Sequence, residues 1–209
     1  MKEILKKYNG LIILCVIYSL LCMVTYKITG RYLFLIWNLF LAVIPIVFAA
    51  AAENTKKKSL VIIYFILWLL FYPNAPYFVT DFIHITRLNF FMKSNLYNMD
   101  QWLILITVTI GFLISLFSGF VSFDKIKNKL LKNNKILETL FVILISLLSG
   151  YAIYIGRFLR FNSWDILRPV YLIKELLNNL GSFAIEYSIL ISIFIIISYY
   201  IYKVFKNLD

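Results

Sequence analysis

A chain of 209 residues that is 62% hydrophobic, 18% aromatic and only 15% charged is too apolar for a water-soluble domain, where about a quarter of residues carry charge. Its net charge of +11 would point to nucleic acid in a soluble protein. Here the cations follow a membrane topology and favour anionic lipid, so nucleic-acid binding is not expected.

In chain order, Lys2, Lys6 and Lys7 precede a first uncharged stretch, Tyr8–Tyr26. Such a start resembles a signal peptide, but the run is long and no A-x-A-like cleavage site precedes Lys27 and Arg31, so it reads as a retained first helix. Cys15 and Cys22 are seven apart and share one face of it. The rise of about 10 Å between them excludes a disulfide. Two thiols without further ligands read as small packing residues.

The other uncharged stretches are Tyr32–Ala52, Ser59–Thr80, Gln101–Phe123, Thr139–Gly156 and Tyr187–Tyr202. With the first, they measure 19, 21, 22, 23, 18 and 16 residues, against the roughly 20 that a spanning helix needs. The last reaches that length when its helix begins near Ser182 and carries Glu186 in the second turn. The fold class that follows is an all-α polytopic membrane protein. Six transmembrane helices form a single domain over 1–209, with short amphipathic interfacial helices on the external side.

Six spans put the N-terminus, the 53–58 turn, a 124–138 loop and the C-terminus on one side. That side holds thirteen lysines, and the opposite side holds the remaining eight cations, including all five arginines. The positive-inside rule makes the thirteen-residue side cytoplasmic. Arginine suits bidentate recognition of carboxylate or phosphate, although gripping lipid phosphate at the interface accounts for external arginines equally well.

Two long external connections, roughly 73–100 and 156–182, mix polar and aromatic residues. The first opens Tyr72-Pro73-Asn74-Ala75-Pro76, and the prolines break the third helix at or just inside the outer boundary. Broken backbone at that depth must be covered by protein or line a wet cavity, and Asn74 is placed to satisfy the freed groups. Phe78, Phe82 and Ile85 then share one face of a short amphipathic helix, with Thr80, Asp81, His84 and Arg87 on the other. The plainest reading is a solvated interfacial face. The sharper one is a polar site in which Asp81 orients His84. The two could also supply a pair of metal ligands, but a metal site needs at least one more and the chain has no second histidine, so no metal or other cofactor is expected.

In the second connection, Arg157 and Arg160 share a face at the end of the fifth span, where cations complement the helix dipole. Asn162 and Asp165 read as an N-cap with a first-turn acid, Trp164 lies between them, and Asp165 and Arg168 form an i, i+3 pair. Pro169 opens a further helix with an apolar stripe of Ile173, Leu176, Leu177 and Leu180, ended by Gly181, that should lie on the membrane surface. The candidate ligand-binding face is therefore Asn74, Asp81, His84, Arg157, Arg160, Asn162, Trp164, Asp165 and Arg168. Mutual pairing is the least costly arrangement for so many polar groups at the hydrocarbon boundary, so the two connections are expected to meet.

The stretches Phe71-Tyr72-Pro73-Asn74-Ala75-Pro76-Tyr77-Phe78-Val79-Thr80-Asp81-Phe82-Ile83-His84 and Gly156-Arg157-Phe158-Leu159-Arg160-Phe161-Asn162-Ser163-Trp164-Asp165 resemble the two signature segments of a bacterial membrane-protein family. It is known only as domain-of-unknown-function family 1361, and the Gly119-Phe120 neighbourhood resembles it as well. The resemblance implies a multi-spanning protein of the bacterial plasma membrane and supplies no activity, substrate or cofactor.

A histidine-pair phosphatase, a rhomboid-type Ser–His protease and an H-E-x-x-H metalloprotease are set aside for want of their residues. Three classes remain. One is an integral membrane protein with a structural or partner-binding external cluster. The second is a binder or transporter of an anionic small molecule or lipid head group. The third is a membrane enzyme acting on a lipid or envelope precursor, with Asp81, His84 or Asp165 as acid or base.

Overall fold

The structure, a computed structural model, describes residues 8–87, 97–131, 134–161, 171, 174, 175, 178, 179 and 181–208, with backbone alone at 86 and 87. Among the described residues every regular element is helical: α1 (Asn9–Thr29), α2 (Phe34–Asn54), α3 (Lys58–Phe71), α4 (Asn74–Tyr77), a 3-10 helix (Phe78–Arg87), α5 (Met99–Leu131), α6 (Lys135–Tyr154), a π turn (Ile155–Leu159) and α7 (Ser182–Lys206). Among the described residues, six spans are long and apolar enough to cross a membrane, the third running from Lys58 to Ile85 through the break. The chain is a multi-pass integral membrane protein.

Local chemistry sets several boundaries. Gly30 ends α1 with φ 68° and donates its N–H to Tyr26 O, the left-handed cap that glycine adopts without a Cβ clash. Asn134 starts α6, its side chain accepting from Ile136 N and Leu137 N, with Glu138 in the first turn. α7 begins at Ser182 and carries Glu186, as its apolar length requires.

The helix α5 is the spine. At 33 residues it is about 50 Å long. It packs against α1, α2, α4, the 3-10 helix, α6 and α7. A 124–138 loop is expected from its charges, yet α5 continues to Leu131. The added turns are helical because their lysines find partners: Lys125 pairs with Glu53, Lys127 with Glu138 at 3.0 Å, and Lys129 donates to Thr55 O at 2.8 Å.

The break in the third span is packed inside the protein. Ala75, Pro76 and Phe78 are buried within the bundle, and Ala75 lies so close to α5 that a Cβ on Gly119 would fall 2.6 Å from the Ala75 Cβ. Gly119 is twelve residues from the Leu131 end of α5, about 18 Å. The broken backbone is thus covered by protein, as expected of backbone broken within a membrane span. Its polar groups are reassigned locally. Tyr72 O, which Pro76 has no N–H to serve, accepts from Ala75 N at 3.1 Å. Phe71 O accepts from Asn74 Nδ2 at 2.9 Å instead.

Two further contacts tie the helices together. Thr25 of α1 and Thr107 of α5 share a buried hydroxyl hydrogen bond of 2.9 Å. The α6–α7 pair closes through small residues: a Cβ on Gly150 would lie 2.3 Å from Ser188 O, and Ser192 Oγ donates to Ser146 O at 3.0 Å. Close backbone approach of this kind holds membrane helices in place of a hydrophobic driving force. Cys22 is buried and Cys15 half-buried, and both are free thiols.

Candidate functional site

At the end of the bundle where the third span finishes, α2, the 3-10 helix and the π turn converge on Asp81. The residue is 1% exposed, so it leaves the solvated face expected for Thr80, Asp81, His84 and Arg87, while His84 stays 30% exposed. The cause is helix type and depth. In a 3-10 helix residues three apart eclipse, so Phe78, Asp81 and His84 line up in one row rather than parting onto two faces. Phe78 at the head of that row is fully buried against Tyr18 and Val108.

Each oxygen of the Asp81 carboxylate has a partner. Asn38 of α2 donates Nδ2–H to Oδ2 at 2.7 Å. Arg157 brings Nη1 to 3.6 Å from Oδ1, and His84 Nε2 lies 4.0 Å from the same oxygen. A carboxylate this deep is tolerable only when paired and hydrogen-bonded. His84 is itself held from two sides, since Tyr32 donates its hydroxyl to the His84 carbonyl at 3.4 Å and the Phe34 ring meets the imidazole edge-on at 5.0 Å.

Arg157 is delivered by the π turn that ends α6, a one-turn irregularity of the sort that recurs at functional positions. Gly156 beside it lies in van der Waals contact with the Tyr77 ring, at 3.5 Å from an added Cβ. The two connections therefore meet, through Tyr77–Gly156 and Asp81–Arg157. Arg157 and Arg160 do not share a face, however. Arg157 turns inward, while Arg160 caps the π turn at φ 59° and is exposed. Among the described residues Tyr32 is the other non-glycine residue with positive φ, at 76°. Both flank the Asp81 cluster, where a sparsely populated conformation persists because its surroundings impose it.

Of the candidate residues, Asp81, His84 and Arg157 come together. Asn74 serves the helix break, and Arg160 stands apart on the surface. Asn162, Trp164, Asp165 and Arg168, with the apolar stripe of Ile173, Leu176, Leu177 and Leu180, lie outside the described residues. Sequence reasoning missed Asn38. The signal was available: it is a lone carboxamide in the uncharged stretch Tyr32–Ala52, where a polar side chain marks a helix face turned inward.

A family model described as "Protein of unknown function (DUF1361)" matches residues 37–199. That range takes in Asn38, Asp81, His84 and Arg157. No curated protein and no solved structure matches the chain.

Proposed function

The chain belongs to the DUF1361 family of proteins of unknown function, and from that premise we propose that it is a non-catalytic, multi-pass protein of the bacterial plasma membrane. Both termini are cytoplasmic, and the external polar cluster gives that face a fixed shape for a partner. The observation that carries this reading is the Asp81 carboxylate, buried between Asn38, Arg157 and His84. Its charge is spent inside the protein, tying α2, the broken third span and the end of α6 into one unit. The thirteen-to-eight division of cations supports the orientation.

A second reading, in which the external arginines hold an anionic small molecule or lipid head group, is favoured by Arg160, exposed at φ 59°. The enzymatic reading draws less support. His84 Nε2 and Asp81 Oδ1 are 4.0 Å apart, beyond hydrogen-bond reach, and Asp81 is closed to solvent.

Thermal stability and bound mass, read on the same purified Arg157→Lys and Arg160→Lys proteins, separate the first two. On the structural reading Arg157→Lys lowers the unfolding temperature, because lysine does not reproduce the reach and shape of the guanidinium beside Asp81, and no bound mass is lost from either variant. A small molecule or lipid that disappears with Arg160→Lys while unfolding stays unchanged replaces it with the binding reading.

A further inference from the structure

At the opposite end of the bundle lies a second polar cluster, centred on Asp124 of α5. Asp124 is 7% exposed. It accepts from Tyr199 at 2.7 Å, from Tyr202 at 3.4 Å and from Lys206, all on α7, and Lys127 Nζ lies 3.8 Å away. The next residue along α5, Lys125, pairs with Glu53 of α2. Between these two ion pairs opens a cleft of about 740 Å³ bounded by α1, α2, α5 and α7, within the roughly 300–1,000 Å³ of ligand clefts.

The lining is divided by polarity. Glu53, Asp124, Lys125, Asn128 and Lys206 form one end, and Leu14, Leu113, Ile114, Phe117 and Val121 form the walls that run from it along the spans. Leu14, Leu113 and Phe117 are about half exposed, so the apolar part opens sideways onto the hydrocarbon. A water-soluble anion has no use for such walls, and a simple hydrocarbon has no use for the charged end.

We propose that this cleft is a binding site for a glycerophospholipid with a zwitterionic head group. One acyl chain lies along Leu14, Leu113, Phe117 and Val121, and the phosphate lies between the ammonium groups of Lys125 and Lys206. The polar end offers two cations and two carboxylates, complementary to the phosphate and the ammonium of a zwitterionic head group. Each ammonium has three donors, so the pairs with Glu53 and Asp124 leave N–H groups for phosphate oxygens. The site is independent of the Asp81 cluster and of the reading given to it.

Native mass spectrometry of the full chain in detergent, with phosphatidylethanolamine added, tests the assignment. The wild type should retain a lipid adduct. The double change Leu14→Trp and Val121→Trp, which fills the apolar wall and leaves both ion pairs in place, should reduce retention at least fivefold. Val121→Leu gives a smaller loss in the same direction should the tryptophan pair fail to insert. Replacing one ion pair as a unit, Glu53→Gln with Lys125→Gln, removes both charges without stranding either and should also reduce retention. Leu190→Trp, on an exposed face of α7 outside the cleft, should change nothing. Unchanged retention in the filled or neutralised variants, equal loss in the Leu190→Trp control, or an adduct formed by inorganic phosphate and not by lipid would overturn the proposal.

Discussion

Arg157 Nη1 sits 3.6 Å from Asp81 Oδ1, joining the π turn at the end of α6 to the 3-10 helix that completes the third span. Because Asp81 is buried, removing either partner alone leaves a charge with reduced compensation. Asp81→Ala and Arg157→Ala should each destabilise the protein by about 3–5 kcal/mol. The paired change Asp81→Asn with Arg157→Gln should cost less than either. Thermal unfolding in detergent measures all three, and equal stability of wild type and Arg157→Ala would show that the pair holds nothing together.

Gly119 allows α4 to lie against α5. An added methyl meets the Ala75 Cβ at 2.6 Å, a backbone-borne atom that has no rotamer with which to move away. Gly119→Ala should therefore destabilise by about 1–3 kcal/mol through overpacking. Gly10→Ala, where nothing lies within 4 Å, should be neutral. The contrast between the two unfolding temperatures is the measurement, and a neutral Gly119→Ala would contradict the close approach.

The 2.9 Å contact between Thr25 Oγ1 and Thr107 Oγ1 fixes the register of α1 against α5. In a Cys15→Ser, Cys22→Ser background, Thr25→Cys with Thr107→Cys should close a disulfide on mild oxidation. Closure is read as loss of maleimide labelling under denaturing conditions. Persistent labelling of both thiols would mean that the two helices do not pack in this register.

Orientation is checked separately. Reporter fusions after Lys132 and at Asp209 should read cytoplasmic, and fusions near Asn95 and Asn178 external, following the distribution of lysine and arginine. An external C-terminus would reverse or break the six-span arrangement.

Much of the architecture was legible in the residues because it depends on quantities local to the chain. Span number follows from apolar length against bilayer thickness. The position of the break follows from Pro73 and Pro76, which lack N–H groups. The role of Asn74 follows from its reach to a carbonyl three residues back. Membership of a helix face placed Cys15 and Cys22 among packing residues without reference to any neighbour.

Depth and burial were decided elsewhere. Ala75 lies inside the bundle because Gly119, on another helix, has no side chain. Asp81 reads as a solvated residue when helical periodicity alone is considered. It becomes a buried one only because Asn38 and Arg157 arrive from distant parts of the chain to compensate its charge. Likewise α5 continues past Phe123 because Glu53, Thr55 and Glu138 are within reach of its lysines. Periodicity reports which residues of one helix share a face. The free energy of burying a charge depends on what the other helices place against that face, and only the tertiary structure supplies that.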